Sequence, residues 1–471
     1  MVFYITIALP SFTMSDTIAA IATPTGEGGI SVIRFSGVDS LSVALKLFCT
    51  PSGNSVEKLS PHKAHFGSIY DPTTRKCVDE VVLTWFKTPK SYTGEDVIEI
   101  SAHGGIFVSS RILGLALDHG ARLAEPGEFT RRAFMNGRID LSQAEAVADL
   151  ISASSERALL GSVMQLKGRL SKKITALYDR LLFVLSQTEA AIDFPEEGLD
   201  FQKREKSISE LKQVREEISD LIGTYKQGKI SREGASVALV GKPNVGKSSL
   251  LNALLQEDRA IVTPHPGTTR DTLEEKVRIK DTHINIIDSA GLRKHPEIIE
   301  QEGIRRTRSA IDNADLTLVI FDRSQPLDEN DDLICKEIHD KSTLVVLNKC
   351  DLPEQWPIEN LNEKIKTDTL IIVSAKEQSG LDSLTDAIYN CVINSEISSD
   401  TIFISRERHR LSLIQASSSL EKTLISLEKK LSEEFVAIDL SIAMNHLAAI
   451  LGKAIEDELL DQIFNSFCIG K

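Results

Sequence analysis

The sequence predicts an α/β plus all-α chain: an N-terminal α/β domain, a helical domain, and a second α/β domain inserted into the helical one. Three features predict this layout. Up to about Glu125 the apolar residues come in short runs broken by Gly and Pro, as in a β-rich domain. From about Arg131 they recur at spacings of three and four, the period of amphipathic helices. Between residue 235 and about residue 395, continuous apolar runs alternate with helical patterns, as buried parallel strands and their crossover helices do. The expected domains are residues 1–130, 131–233, 234–395 and 396–471, the second and fourth being two parts of one helical domain.

In the first segment TIAAIATPTGEGGISVIRFSG, DEVVLTWF and DVIEISAHGG read as strands. Residues 1–13, MVFYITIALPSFT, are apolar but lack a basic start and a small-residue cleavage site, so a start at Met14 or a short extra arm is expected rather than a signal peptide. In KSISELKQVREEISDLIGTYKQ the residues Ile208, Leu211, Val214, Ile218, Leu221 and Tyr225 mark one helix face. ASVALV, INIID, ADLTLVIFD, STLVVL and TLIIV read as buried strands with loops at their C-terminal ends. Leu420, Leu424, Leu427 and Leu431 then restore the helical period, followed by a last segment from Phe435 to Phe467.

Composition bounds the function. With 41% apolar and 26% charged residues the chain is of ordinary globular type, neither fibrous nor disordered. No stretch of about 18 uncharged apolar residues occurs, so no integral membrane association is expected. Six scattered cysteines with no C-x-x-C pair argue against a zinc ribbon or a secreted disulfide framework and for a reducing, cytoplasmic setting. A net charge of -14 argues against indiscriminate nucleic-acid binding. Local basic spots remain possible at Arg131, Arg132, Lys167, Arg169, Lys172 and Lys173.

The motifs carry the chemistry. GKPNVGKS at Gly241–Ser248 follows the strand ASVALV and precedes the helix SSLLNALL, the setting of a phosphate-binding P-loop. Its glycines let backbone N–H groups converge, Lys247 neutralises phosphate charge, and the Ser248 hydroxyl is placed to ligate Mg²⁺. DSAG at Asp288–Gly291 closes INIID, where a carboxylate reaches Mg²⁺ through water. NKCD at Asn348–Asp351 puts a carboxylate where the N1–H and 2-amino donors of guanine, absent from adenine, are read. SAK at Ser374–Lys376 ends the next strand and backs the base. GTTRD at Gly267–Asp271 is the switch loop, with Thr269 closing on Mg²⁺. Leu292, not a glutamine, follows Gly291, so another group must orient the attacking water. GTP contacts are expected from Asn244, Val245, Gly246, Lys247, Ser248, Ser249, Thr263, Pro264, His265, Pro266, Gly267, Thr268, Thr269, Asp288, Ser289, Ala290, Gly291, Asn348, Lys349, Asp351, Ser374, Ala375 and Lys376.

Beyond the GTPase motifs, YTGED at Tyr92–Asp96, HGG at His103–Gly105, PGEFTRRAFMNGRIDLSQAEAVADLI from Pro126 and the terminal CIGK at Cys468–Lys471 resemble one family closely, the MnmE (TrmE) tRNA-modification GTPases, over nearly the whole chain from about Asp16. The resemblance implies a homodimer built through an N-terminal domain similar to tetrahydrofolate-binding one-carbon enzymes, and a helical domain carrying an inserted P-loop GTPase domain. It implies that, with a flavin-dependent MnmG (GidA) partner in a heterotetramer, the chain adds an aminomethyl or carboxymethylaminomethyl group to carbon 5 of wobble uridine in certain tRNAs.

The same resemblance implies that K⁺, held by Asn244 with groups near Thr263, His265 and Thr268, bridges the phosphates in place of an arginine finger. It makes Glu300 the water-orienting carboxylate, with Glu297 and Glu302 as neighbours that compete for the role. A 5-formyl- or methylene-tetrahydrofolate would be held by Arg34, Glu99, Arg138 and Lys471. Relatives often carry Thr where this chain has Ser289 and Lys where it has Arg138. Cys468 is implied in tRNA modification, and Lys471 near its thiol favours the thiolate. His103 is a candidate catalytic group or a hydrogen-bonded structural one. The rival reading is a regulatory ribosome-assembly GTPase that binds rRNA and does no chemistry beyond hydrolysis. A KH-type module with β-strands at the C-terminus would favour that rival.

Overall fold

The computed structural model describes residues 16–193, 201–257, 275–288, 308, 310–338, 342–393 and 402–471, apart from 52–53, 55, 57, 363–364, 366–368 and 454–456. The chain forms two compact units, one of Met1–Ala148, Gln165–Ser219 and Leu411–Lys471, the other of Asp149–Met164 and Asp220–Arg410.

In the first unit, period-two alternation builds a seven-stranded sheet of β1 (Ile18–Ile21), β2 (Ile30–Ser36), β3 (Phe48–Cys49), β4 (Ala64–Tyr70), β5 (Cys77–Phe86), β6 (Val97–His103) and β7 (Arg122–Leu123). The spatial order is β3-β4-β5-β6-β2-β1-β7, antiparallel except where β7 runs parallel to β1. Ile33, Phe35, Leu83, Ile98 and Ile100 share one core with Val43, Leu47, Ile112 and Leu115 of the helices Ser40–Leu47 and Ile106–Asp118. Because strand side chains alternate, Arg34, Glu99 and Thr84 fall in one row on the opposite face.

The helical part of this unit follows the predicted three-and-four spacing. Leu170, Ile174, Leu177, Leu181 and Val184 are buried along Arg169–Asp193, and Val436, Leu440, Ala443, Met444 and Leu447 along Glu433–Ile450, which packs against it. The last helix, Asp457–Asn465, places Leu460 and Phe464 in a cluster with Phe134, Leu141, Ala144 and Phe467. After residue 402 the described residues form helices and no strand, unlike a KH-type module.

Two helical expectations need correction. The run through Tyr225 is not one helix: Phe201–Gly223 ends, the Thr224 hydroxyl donates to the Leu221 carbonyl at 2.6 Å, and a new helix covers Tyr225–Glu233. The apolar spacing runs on across this break, so periodicity alone does not mark it. Leu431 lies beyond the end of Glu407–Glu428 and is exposed, so the leucine repeat outlasts its helix.

In the second unit a six-stranded sheet has the order β13-β12-β11-β8-β10-β9, from β8 (Ala235–Val240), β9 (Glu275–Ile279), β10 (Thr282–Asp288), β11 (Leu316–Asp322), β12 (Thr343–Asn348) and β13 (Leu370–Ile372). All pairs are parallel except β9 with β10. Every residue of β11 is buried, as expected for a central strand covered on both faces. Strand β9, an antiparallel edge, gives no apolar run that would mark it in the sequence. No described helix is long and apolar enough to cross a membrane.

Candidate functional site

The P-loop joins β8 to the helix Lys247–Glu257. Asn244 and Gly246 both adopt left-handed backbone, with φ of 64° and 99°. A Cβ on Gly246 would lie 2.2 Å from Asn348 Nδ2, so glycine lets the loop close on the strand end that carries Asn348. Lys247 is almost fully buried, its ammonium donating to the carbonyls of Gly241 at 2.6 Å and Lys242 at 2.9 Å across the loop mouth. Val245 is buried, Ser248 is half-buried on the first helical turn and Ser249 is exposed. The backbone of Asp288 pairs with Leu239 of the strand that feeds the P-loop.

The parallel register then stacks the other motifs at the same sheet edge. Asn348 ties two loops together: its Nδ2 donates to the Val245 carbonyl at 2.8 Å and its Oδ1 accepts the Ala375 N–H at 3.1 Å. The Ser374 hydroxyl donates to Asp351 at 2.6 Å and holds its carboxyl below the ordinary value, leaving an ionised acceptor at the exposed rim. Lys376 is exposed beside it. The structure therefore brings Val245, Lys247, Asn348, Lys349, Asp351, Ser374 and Ala375 into one edge. Thr263, Pro264, His265, Pro266, Gly267, Thr268, Thr269, Ser289, Ala290, Gly291 and Glu300 lie outside the described residues, as do Glu297 and Glu302.

A second constellation lies in the first unit. Arg34 and Glu99 are register partners on β2 and β6, and both contacts of the guanidinium, at 2.9 and 2.8 Å, fall on Glu99 Oε1. Arg34 also donates to the carbonyl of Gly470 at 3.2 Å, although 436 residues separate them. Its Cζ sits 5.6 Å from the Tyr92 ring centre and 5.7 Å from that of Phe129. Gly470 has φ of 96°, and a Cβ there would lie 2.6 Å from the Ile21 carbonyl, so the tail approaches β1 backbone to backbone. Partial burial and the Arg34 charge push the Lys471 ammonium below the usual lysine value, with Glu99 opposing them. Cys468 is exposed, and its carbonyl accepts the N–H groups of Gly127 and Lys471, both at 3.4 Å. Arg34, Glu99, Cys468 and Lys471 thus meet, whereas Arg138 is an exposed side chain packed beside Gly94.

Other expectations separate. His103 is exposed, with Nδ1 2.7 Å from Asp79 Oδ1. Arg132 is not a basic surface spot: it is 1% exposed and bound to Asp16, Glu95 and Glu128. Arg131 pairs with Asp461, and Lys173 with Glu217, so neither charge stands alone. Lys167 and Lys172 are exposed, Arg169 half-buried. The residues sequence reasoning missed are the aromatic pair around Arg34 and Asp322. For Asp322 a signal existed, an acid closing a run of apolar residues.

Two family profiles match the chain: "MnmE helical domain" over residues 141–468 and "GTP-binding protein TrmE N-terminus" over residues 17–138. The chain is 44% identical to the tRNA modification GTPase MnmE of Thermoanaerobacter pseudethanolicus, over 97% of this chain and 99% of that one. It is 43% identical to the protein of the same name from Lactiplantibacillus plantarum, over 98% of this chain and 100% of that one. The Clostridioides difficile protein of that name is also 43% identical, over 97% and 100%.

Proposed function

The chain belongs to the tRNA modification GTPase MnmE family, and from that premise we propose that it works with an MnmG (GidA)-type flavoprotein on the wobble uridine of certain tRNAs. GTP hydrolysis in tRNA modification follows from the family itself. The finer reading is that an aminomethyl or carboxymethylaminomethyl group is added to carbon 5, with a tetrahydrofolate as one-carbon donor, by a cytoplasmic homodimer that assembles with its partner into a heterotetramer.

The observation that carries this reading is the 3.2 Å contact of Arg34 with the Gly470 carbonyl, which supports a pocket completed by the chain's own tail. The donor set there fits a tetrahydrofolate. Arg34 and Lys471 supply cations for a carboxylate-bearing glutamate tail, and the exposed Arg138, which packs beside Gly94, is the remaining assigned folate contact. Since Arg34 occupies only Oε1 of Glu99, Oε2 remains for the N–H donors of a pterin. The bound folate would supply the carbon unit. The tail's part is to orient it, with the Cys468 thiol and the Lys471 amine as nearby groups able to exchange a proton.

In the nucleotide domain, Ser248 and Thr269 are assigned to Mg²⁺, and Asn244, Thr263, His265 and Thr268 to K⁺. Asn244, exposed in left-handed backbone on the loop, fits a ligand at the loop rim. A fixed cation beside the β/γ bridge stabilises charge that grows during hydrolysis, and Glu300 would orient the water. Replacing K⁺ by Na⁺ in a turnover assay is therefore expected to slow hydrolysis about tenfold or more, and equal rates remove the cation from the account. The modification itself is tested by nucleoside analysis of tRNA from cells lacking the gene. Loss of the carbon-5 substituent at wobble uridine is expected, and an unchanged nucleoside profile would leave hydrolysis without this chemistry.

A further inference from the structure

An acid at the end of an apolar strand is costly unless it is satisfied, and Asp322, 3% exposed at the end of β11, is satisfied completely. Its Oδ1 accepts the N–H of Ser324 at 2.9 Å and the Ser324 hydroxyl at 2.6 Å, while its Oδ2 takes the Lys349 ammonium at 2.6 Å. Burial alone would push this carboxyl up, yet Lys349 and Ser324 hold it below the ordinary aspartate value, so it is charged at neutral pH. The backbone around it is fixed as well. The Asp322 carbonyl accepts the Trp356 indole N–H at 3.2 Å, and the Arg323 N–H donates to the Asn348 carbonyl at 3.1 Å. Asp322 and Asn348 are register partners on β11 and β12.

We propose that Asp322 is a positioning residue for guanine-nucleotide binding, anchoring the Lys349 ammonium so that its four-carbon stem is held beside the base slot. Lys349 sits in left-handed backbone, φ 65°, between Asn348, which spans the P-loop and the Ala375 loop, and Asp351. A lysine stem free to rotate gives up rotamer entropy when a flat base packs against it; one already fixed at its far end has lost that freedom beforehand. The anchor is charge-assisted and its carboxylate end is buried, which strengthens the bond over one at the open surface. Asp322 touches neither phosphate nor water nucleophile in this scheme, so its effect falls on binding and not on the chemical step.

The proposal rests on reading Asn348–Asp351 as the guanine loop, and a control separates the two. Asp351→Asn, which exchanges an acceptor for a donor facing the base, is expected to abolish GTP binding and admit a xanthine nucleotide; if GTP still binds, the loop assignment has failed. With that control passed, Asp322→Asn is expected to weaken a fluorescent GDP analogue about tenfold, the size of one charge-assisted bond, and to raise KM for GTP with kcat within about twofold. Ser324→Ala, which disturbs the same carboxylate but leaves Lys349 paired, is expected to change affinity less than about threefold. Equal losses in Asp322→Asn and Ser324→Ala, or an unchanged KM in Asp322→Asn, overturn the proposal. If Asp322→Asn does not fold, Lys349→Arg and Lys349→Met decide: the arginine, which keeps the ion pair, should retain affinity that methionine loses, and equal weakness in both overturns it.

Discussion

Serine at position 468 in place of cysteine is expected to reduce wobble-uridine modification to background while GTP turnover stays within about twofold of the parent chain. The substitution changes one atom. Cys468 holds the tail through its carbonyl, which accepts the N–H groups of Gly127 and Lys471, and that backbone role survives in serine. Its side chain is exposed, so no core packing is lost. What disappears is a thiol beside the Lys471 ammonium, whose pKa partial burial and the Arg34 charge lower from the usual lysine value. The nucleotide motifs belong to the other compact unit and share no residue with the tail. Nucleoside analysis and a phosphate-release assay on the same preparation check both halves. Full modification by the serine variant would dismiss the thiol from the chemistry and leave Arg34, Glu99 and Lys471 as a binding set only.

The second large effect is on stability. Arg132→Met is expected to cost about 3 kcal/mol of unfolding free energy, because it removes the buried guanidinium that joins Glu95 to Asp16 and Glu128, although Arg122 still pairs with the last two. Arg132 donates to Asp16 Oδ1 at 2.8 Å, to the Asp16 carbonyl at 3.0 Å, to Glu128 Oε1 at 2.9 Å and to Glu95 Oε2 at 3.2 Å. Arg122 binds Asp16 Oδ2 at 2.8 Å and both oxygens of Glu128 at 3.0 and 2.7 Å, so these two acids keep a second cation when Arg132 is lost. Arg131→Met, one residue away, removes a solvent-facing pair with Asp461 and should cost no more than about 1 kcal/mol. Urea unfolding of the two variants measures the contrast, and similar losses would mean that the buried network carries no special weight.

The same network has a pH signature. Burial raises the carboxyls of Glu128 and Asp16, but their arginine partners outweigh it and hold both below their ordinary values of 4.5 and 3.8. The unfolded chain therefore binds protons that the folded one refuses. The contribution is complete above the ordinary carboxylate range and is lost as pH falls through the depressed folded values, so Arg132→Met should make the acid limb of the stability curve shallower without removing it, since Arg122 still holds both carboxyls down.

These cases show where reading the chain as a string works and where it stops. NKCD and GKPNVGKS are legible because each motif is contiguous and follows its own apolar strand, with glycines shaping the second loop. The Asn348 bridge between the P-loop and the Ala375 loop needs only parallel register to form. The edge strand β9 and the break at Thr224 are not legible, one lacking a continuous apolar run and the other lying inside an uninterrupted apolar spacing. In Arg131 and Arg132 two identical neighbours carry the same local signal, yet one faces Asp461 and the other lies 1% exposed among three acids.

The order of residues by itself determined the layered α/β and helical architecture and the guanine-nucleotide motifs, since apolar period and short loops act between near neighbours. Only the tertiary structure decided that Gly470 meets Arg34, that Tyr92 and Phe129 flank that arginine, and which of two adjacent arginines is buried. The reason is that desolvation and charge pairing depend on what the chain brings back from hundreds of residues away, and no local spacing carries that information.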